Sequence, residues 1–174
     1  MSFQKNHHTT LFFSSIAEIS ASIWSELTCT KNVYFHPDYL ISLEKNNPQI
    51  VFSYLVLLNK EKIPIAFASI QIIDFPLDGI ENSLSKGFHQ LKCFGRRLGV
   101  FPKLKPIKLL VCGNVFVSGE HGIYIKENQD KQSIIKKIVK AISVETATNN
   151  ISIYLIKDFI KESLEITNQL HDLN

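Results

Sequence analysis

Cysteine is scarce in this sequence, and its cysteines are not spaced as metal ligands or as a disulfide framework. Three occur in 174 residues, at Cys29, Cys93 and Cys112. Their odd number and the lack of a Cys-x-x-Cys pair argue against a zinc site and favour a reducing compartment, with the cytoplasm as the expected location. No i, i+4 pair of histidines or carboxylates has a third ligand nearby, so we predict no metal site.

Long apolar runs and several catalytic signatures are also missing. No stretch approaches the roughly 18 apolar residues of a membrane-spanning helix, and no apolar core of a secretory signal follows Lys5. Gly-x-Ser-x-Gly and Walker loops are absent. A net charge of +3 is too small to imply a nucleic-acid partner. With 45% hydrophobic and 20% charged residues, the composition is typical of one globular domain over residues 1–174.

Hydrophobic periodicity predicts a mixture of helices and strands. A helix is expected over 16–27, with Trp24 flanking its apolar stripe, and a second helix begins at Pro37. Two β-rich runs, 51–58 and 64–73, predict a central hairpin buried on both faces. The remaining predicted elements are a long strand within 105–117, an amphipathic helix within 128–150, a strand at 151–156 and a final helix within 157–173.

Residues 74–106 are too many for a simple connection, and they form a predicted basic insert. Its cations alternate with phenylalanine and leucine, and no acidic residue lies between Ser85 and Lys108. We favour an amphipathic cover packed on the domain with a solvated basic rim. The alternative is a surface for an anionic membrane, polyphosphate or an acidic partner, for which the candidate residues are Lys92, Arg96, Arg97, Lys103 and Lys105.

Glycine is used sparingly, yet three of the seven glycines lie within GNVFVSGEHG, residues 113–122. Glycine is placed where a backbone must bend or be approached closely. Gly113-Asn114 therefore predicts a β-bulge that bends the third long strand, and Gly119 and Gly122 predict a turn at the open end of the sheet.

Two polar residues sit inside this turn, and two interpretations of them stay open. Glu120 and His121 are either solvated residues of a tight turn or reactive groups at the end of a sheet, where ligands commonly bind. In the second interpretation Glu120 is a general base and His121 contacts the substrate or itself serves as the base.

The element order and several spaced motifs resemble those of the GNAT acyltransferases. The resemblance is closest to the N-terminal half of the Fem-type tandem proteins of peptidoglycan biosynthesis, a mostly bacterial group. It covers roughly residues 30–174 and rests on a Tyr-Leu-x-x-Leu-Glu helix, a strand ending in Cys-Gly-Asn-x-x-x-x-Gly and a strand ending in Lys-Asp. The matching residues are Tyr39, Leu40, Leu43, Glu44, Gln71, Cys112, Gly113, Asn114, Gly119, Gly122, Lys157 and Asp158.

The resemblance implies a GNAT-like α/β (mixed α+β) three-layer domain, whose mixed, mainly antiparallel sheet has helices on both faces. It also implies N-acyl transfer from a carrier thioester such as acyl-CoA to an amine on a small molecule or peptide. No permanently bound cofactor is expected, and a second GNAT-like half would be the partner. The strand around Gly113 and Asn114 would open a slot for the acyl-pantetheine arm, with Gly119 and Gly122 beside it.

Two departures from the family pattern leave a second function open. GNAT enzymes usually carry a Gln/Arg-x-x-Gly-x-Gly/Ala loop before the helix that holds the pyrophosphate of coenzyme A. Residues 123–133, IYIKENQDKQS, contain no glycine, and Asp130 would repel a phosphate. The chain also ends at HDLN, where full members continue, which favours a truncated relative. The alternative is a non-catalytic substrate-binding or docking module with no coenzyme A site of its own.

Overall fold

A computed structural model describes residues 9–75, 106–119, 121–149, 151 and 153–157 of the chain. Within these residues two short helices precede the first hairpin, and two further strands, a long helix and a last strand follow it. The elements are β1 (Thr9–Phe13), α1 (Ala21–Leu27), α2 (Pro37–Asn46), β2 (Val51–Leu58), β3 (Pro64–Phe75), β4 (Ile107–Cys112), β5 (Ile123–Ile125), α3 (Lys131–Thr148) and β6 (Ile153–Ile156).

The strands form one sheet in the order β1-β2-β3-β4-β6, and β5 pairs with β3 beyond the end of β4. All pairs are antiparallel except β4 with β6, which run parallel. The predicted mixed, mainly antiparallel sheet is therefore confirmed. The parallel pair requires a crossover connection, and α3 supplies it.

The predicted central hairpin is confirmed as β2 and β3. Its turn is closed by Asn59, whose backbone N–H donates to the carbonyl of Ile63 at 2.9 Å and whose side-chain oxygen accepts from the Ile63 N–H at 2.8 Å. Because successive side chains of a strand point to opposite faces, the apolar run of β2 supplies two cores. Tyr54 and Val56 enter one core, and Leu55 and Leu57 enter the other.

Helices cover both faces of the sheet, as expected. The helices α1 and α2 lie on one face, where the Trp24 ring packs 5.1 Å from the Phe67 ring. On the other face α3 buries its predicted apolar side, including Ile134, Ile138 and Ile142, against the hairpin and β4. The sheet is thus the middle layer of three.

The predicted first helix is wrong in its first half. Ile16–Glu18 is a 3-10 turn capped by the Ser15 hydroxyl, and the chain is extended at Ile19 before α1 begins at Ala21. Trp24 is buried, with 8% of its surface exposed, and does not merely flank the stripe. Apolar spacing alone cannot distinguish one helix from a turn followed by a shorter helix.

The strand β1 was not predicted. It pairs with β2 from Thr9↔Leu58 to Phe13↔Tyr54. Its sequence, TTLFF, is too short to show alternation, and its strand conformation depends on backbone hydrogen bonds to β2.

Several sequence-based expectations lie outside the described residues. They include the basic insert between residues 76 and 105 with its candidate cations, Glu120, and the final helix beyond residue 157. In the part of the chain that the structure covers, no helix is long and apolar enough to cross a membrane, and no group of three His, Cys, Asp or Glu residues is arranged to hold a metal ion.

Burial on both faces of the hairpin predicts its response to charge. Leu57→Asp and Ala68→Asp should each abolish soluble expression, because an unpaired carboxylate would be buried at a fully covered position. Val51→Asp is the matched control, since Val51 lies in the same hairpin with 61% of its surface exposed. The measurement is the soluble fraction after expression. Wild-type solubility of the Leu57 and Ala68 variants would contradict the assignment.

Candidate functional site

The strand β3 has two partners along one edge, and the change of partner occurs at Ser69. Residues Ile70 to Phe75 of β3 pair with β4, and Ala66 to Ala68 pair with β5. Between them, the Gly113 N–H donates to the Ser69 carbonyl at 3.0 Å, and the Ser69 N–H donates to the Gly122 carbonyl at 2.9 Å. Two glycines therefore share one position of the ladder. The chain between them, residues 113–122, leaves the sheet, and we call it the excursion.

The structure corrects the expected long strand. Instead of continuing through a bulge to residue 117, β4 ends at Cys112, and the chain returns to β3 only as the short strand β5. A bulge inserts an extra residue into a continuous pair, whereas here pairing with β3 stops and resumes beside the same residue. Sequence spacing did not reveal this, because the return depends on contact with β3.

Close backbone approach explains two of the glycines. A Cβ on Gly122 would lie 2.7 Å from the Gly113 Cα and 3.1 Å from the Cys112 carbonyl oxygen. Gly113 has φ +142°, and a Cβ there would lie 2.7 Å from Cγ of Lys157. The expectation that glycine stands where a backbone is closely approached is confirmed at both positions. Their contact with the acyl-pantetheine arm stays a prediction.

Buried amide side chains hold the base of the excursion. Gln71 on β3 is 0% exposed, and its Oε1 accepts from the Val115 N–H at 2.8 Å. Asn114 donates from Nδ2 to the Tyr39 hydroxyl at 2.9 Å and accepts at Oδ1 from the Phe116 N–H at 2.9 Å. Asn114, which the sequence predicted as a carrier contact, therefore links the excursion to α2. These hydrogen bonds favour one loop conformation, while the buried Nε2 of Gln71 has no partner among the described residues.

A lysine at the end of β6 closes the excursion from the other side. The Lys157 ammonium donates to the carbonyls of Asn114 at 3.0 Å and Val117 at 2.9 Å. The Lys157 N–H also donates to the Cys112 carbonyl at 3.3 Å. Lys157 thus continues the β4–β6 contact by one residue and crosses Gly113 to reach the excursion.

Among the described residues the strand β5 pairs with β3 on one side only, and we call its other side the open edge. The Gly122 carbonyl and the Lys126 N–H both bond to β3, the latter to the Ile65 carbonyl at 2.9 Å. Because hydrogen-bonding direction alternates along a strand, the backbone groups of Ile123 and Ile125 point away from β3. Within the described residues β5 pairs with β3 alone. An extended ligand with amide groups could pair along this edge.

Aromatic rings form a wall beside the excursion. The Tyr34 ring stacks on the His121 ring, with centroids 3.8 Å apart, and meets the Tyr39 ring edge-on at 5.6 Å. The His121 N–H donates to the Gly119 carbonyl at 2.8 Å, and a Cβ on Gly119 would lie 2.7 Å from Nε2 of His121. Gly119, with φ +115°, is therefore covered by the imidazole. The Nδ1 of His121 is buried and has no hydrogen-bond partner in the described part of the chain.

Cys112, at the end of β4, is a poor nucleophile. Complete burial raises the pKa of its thiol to about 12, so the thiol is protonated at neutral pH. Cys112 is therefore not a candidate nucleophile, because the thiolate is the reactive form.

The start of α3 carries a carboxylate where many anion sites have glycine. The Asp130 side chain caps the helix by accepting from the Ser133 N–H at 3.2 Å. Just before it, Lys126 pairs with Glu26 of α1 at 3.4 Å. The positive end of the helix dipole is thus already stabilised by the negative charge of Asp130.

The structure brings together five of the predicted site residues. These are Gly113, Asn114, Gly119, His121 and Gly122, all within the excursion, and Glu120 lies outside the described residues. Sequence reasoning did not assign site roles to Tyr34, Tyr39, Gln71 or Lys157. Three of them, Tyr39, Gln71 and Lys157, were among the residues that carried the family resemblance, which was the available signal. Tyr34 gave no signal, because only the fold brings it to His121.

Comparison with known proteins supports the fold. No family model matches the sequence, and no curated protein sequence matches it. The BH1408 protein of Bacillus halodurans, in a tetramutant crystal structure, has a TM-score of 0.55 at 10% identity, over 95% of this chain and 91% of that one.

Two solved acetyltransferases are also similar. The aminoglycoside N-acetyltransferase AAC(6')-Iy in complex with CoA matches with a TM-score of 0.50 at 12% identity, over 99% of this chain and 90% of that one. A GCN5-related N-acetyltransferase of Ralstonia eutropha matches with a TM-score of 0.50 at 8% identity, over 95% of this chain and 92% of that one. At these identities the likeness is one of fold, and the chain has the GNAT fold.

The glycine contacts predict a selective loss of stability. Gly113→Ala and Gly122→Ala should each lower the free energy of unfolding by about 1–3 kcal/mol, through strain at positive φ in the first and a backbone clash in the second. Ser118→Ala, at an exposed position of the same excursion, should change it by less than about 0.5 kcal/mol. Urea unfolding measures all three, and equal stabilities would refute the shared ladder position.

Proposed function

We propose that this chain is an N-acyltransferase that moves an acyl group from a pantetheine thioester to an amine. One observation carries the proposal: β4 and β6 pair in parallel as far as Cys112 and Ile156, and within the described residues β5 pairs with β3 alone. An edge of this kind can accept an extended ligand as an added strand. The GNAT fold supports the reaction class, and acyl-CoA is the simplest donor of that class.

The pantetheine arm matches the open edge chemically. It is an extended chain with two amides, and the backbone groups of Ile123 and Ile125 point away from β3, toward the side where the arm is proposed to lie. Pairing with those groups would aim the thioester toward Gly113 and Gly122. Gly113, Gly119 and Gly122 are proposed to lie along the path of the arm, and Asn114 is proposed to act through the backbone that its side chain holds in place.

The reaction needs positioning and one proton acceptor. The neutral amine attacks the thioester carbonyl, a C–N bond forms, and the tetrahedral intermediate collapses with loss of the thiolate, which takes up a proton. The attacking nitrogen loses one proton in the process, so a general base assists it. Glu120 is the proposed base. Holding the two reactants together supplies most of the remaining acceleration.

The rings of Tyr34, Tyr39 and His121 are proposed to contact the amine substrate. His121 is stacked on Tyr34 with Nδ1 buried, an arrangement better suited to contacting substrate than to moving a proton. Val33 and Phe116, on the two segments that meet here, are exposed. The amine is thus proposed to belong to a small molecule or peptide with an apolar group that these rings can contact.

The open edge can be blocked without breaking the sheet. Ile125→Pro removes an N–H that points away from β3, so the fold should survive, as proline does on edge strands. Transfer from S-acetylpantetheine to a panel of primary amines and peptides, followed by thiol release, should fall at least about tenfold. Tyr124→Pro is the contrast, because it removes a bond to β3 and should lower the unfolding midpoint. Unchanged transfer by Ile125→Pro would refute the donor site.

The roles of Glu120 and His121 can be distinguished by kinetics. Glu120→Gln should lower kcat by about a hundredfold with little change in KM, as expected for loss of a general base. His121→Phe keeps a ring against Tyr34 and should mainly change KM for the amine. The reverse pattern would assign the base to His121.

A non-catalytic GNAT-like binding module is the second candidate. The carboxylate at the start of α3 favours it, because that position holds a phosphate in many anion sites. Binding of pantetheine thioesters without any acyl transfer would support the binding module over the enzyme. The finer likeness to the N-terminal half of a Fem-type tandem protein, with a second half as partner, stays a prediction.

A further inference from the structure

The strand β1 ends the sheet on one side, and its outer edge is unprotected. Among the described residues β1 pairs with β2 alone, so part of the backbone of Thr9–Phe13 points away from the sheet with no strand partner. Edge strands usually carry a charge, a proline or a bulge that prevents pairing with another chain. The sequence TTLFF has no charge or proline, and its register with β2 is continuous. The edge can therefore accept a further strand.

A groove lies beside this edge, on the face of the sheet that α3 covers. Its volume is about 410 Å³, and we call it the edge groove. It is lined by Thr10 and Phe12 of β1, Leu57 of β2, and Lys137, Ala141 and Val144 of α3. Phe12 is 37% exposed and Val144 is 60% exposed, although both side chains are large and apolar. Apolar surface is thus left uncovered beside an edge that can pair.

The side of α3 that lines the edge groove carries both signs of charge in one row. This side is turned away from β6, which α3 contacts through Ser143. Lys137, Ala141 and Glu145 all line the groove. They are spaced four residues apart, so they form one ridge along the helix. The ridge has an ammonium before its centre, a small residue at the centre and a carboxylate after it.

That order of charges is self-complementary. In an interface with two-fold symmetry, residue i of one copy meets residue j of the other, and j meets i. A two-fold axis perpendicular to the sheet and beside Ala141 makes two copies of α3 antiparallel. Lys137 of each copy then lies opposite Glu145 of the other. The same axis makes the two β1 strands antiparallel, so that their free edges can pair about Leu11, the middle residue of TTLFF.

Neither charge of this ridge is fully matched within one chain. Burial lowers the pKa of the Lys137 ammonium, and the negative charge of Asp130 offsets only part of that effect. Lys137 takes part in no ion pair among the described residues. Glu145 accepts from Nδ2 of Asn149 at 2.8 Å, which engages one of its two carboxylate oxygens. A carboxylate brought to Lys137 by a second copy would stabilise its charged form.

We propose that the edge groove is the interface of a symmetric dimer, in which the β1 strands of two copies pair and the sheet continues from one copy into the other. Phe12 and Val144 of both copies become covered, and two contacts between Lys137 and Glu145 flank the axis. An acidic strand from another protein fits less well, because Glu145 repels it, whereas a second copy satisfies both charges. The inference goes beyond the proposed acyl transfer and does not depend on it.

The association of the 174-residue chain tests the proposal directly. In sedimentation over a range of concentrations, the chain should pass from monomer to dimer with a dissociation constant of about 1–100 μM. Added salt should weaken the dimer, because exposed charge pairs are screened. A chain that stays monomeric at about 500 μM, well above this range of dissociation constants, would overturn the proposal.

Charge reversal tests the symmetry of the contact. Lys137→Glu and Glu145→Lys each place like charges opposite one another at both contacts, and each should weaken the dimer at least about tenfold. An equimolar mixture of the two variants should dimerise about as tightly as the wild type, because one copy then offers only carboxylates and the other only ammonium groups. Mixing cannot rescue a variant that is merely misfolded. A mixture that associates no more tightly than either variant alone would refute the symmetric contact.

A control separates the contact from net charge. Lys45→Glu makes the same change in charge at an exposed position of α2, which covers the opposite face of the sheet. It should leave the dissociation constant of the dimer unchanged. An equal loss in Lys45→Glu and Lys137→Glu would reduce the effect to net charge and overturn the assigned interface.

Hydrogen exchange locates the strand contact. The amides of Thr9–Phe13 should exchange more slowly as protein concentration rises through the dissociation constant, since those that face outward gain partners in the dimer. Protection that does not change with concentration would place the dimer contact elsewhere. A monomeric chain that instead binds polyglutamate, and binds it more tightly after Glu145→Lys, would assign the groove to an acidic partner and overturn the proposal.

Discussion

The hydrogen bonds of Ser69 to two glycines are the constraint on which the site depends. One residue of β3 accepts from the Gly113 N–H and donates to the Gly122 carbonyl, so a single ladder position is shared by two points of the chain. The close approach leaves no room for a Cβ on Gly122. Everything between the two glycines must therefore leave the sheet. The same closure starts β5 in register with β3, so the backbone groups of Ile123 and Ile125 point away from β3.

The excursion is held by polar groups in an apolar setting. Gln71 and Asn114 are buried, and each makes hydrogen bonds to the excursion backbone, while the Lys157 ammonium donates to two further carbonyls. A buried polar group that loses its partner costs roughly 1–3 kcal/mol, so alternative loop conformations are strongly disfavoured. Contacts from α2, β3 and the end of β6 thus converge on one short segment. Such convergence is what a site needs if it is to hold reactants in one geometry.

The first turn of α3 and the rest of that helix differ in charge. The Asp130 carboxylate caps the first turn by accepting from the Ser133 N–H, and Lys131, Lys136, Lys137 and Lys140 follow along the helix. This cap occupies an N–H group that an anionic ligand at a helix start would otherwise use. The start of α3 therefore offers fewer donors to a phosphate than an uncapped helix start would.

The sequence by itself determined the hairpin, α2, α3 and the layer order, because these follow from local apolar periodicity and end signals such as Pro37. It also indicated that glycines 113 and 122 stand where backbones meet. Only the tertiary structure decided where β4 ends, that TTLFF is a strand, and that Tyr34 stacks on His121. These features join residues far apart in the chain: Ser69 bonds to Gly113 and Gly122, and β1 is ordered by β2. Local patterns report the propensity of a segment, whereas pairing partners are chosen by the packing of the whole domain.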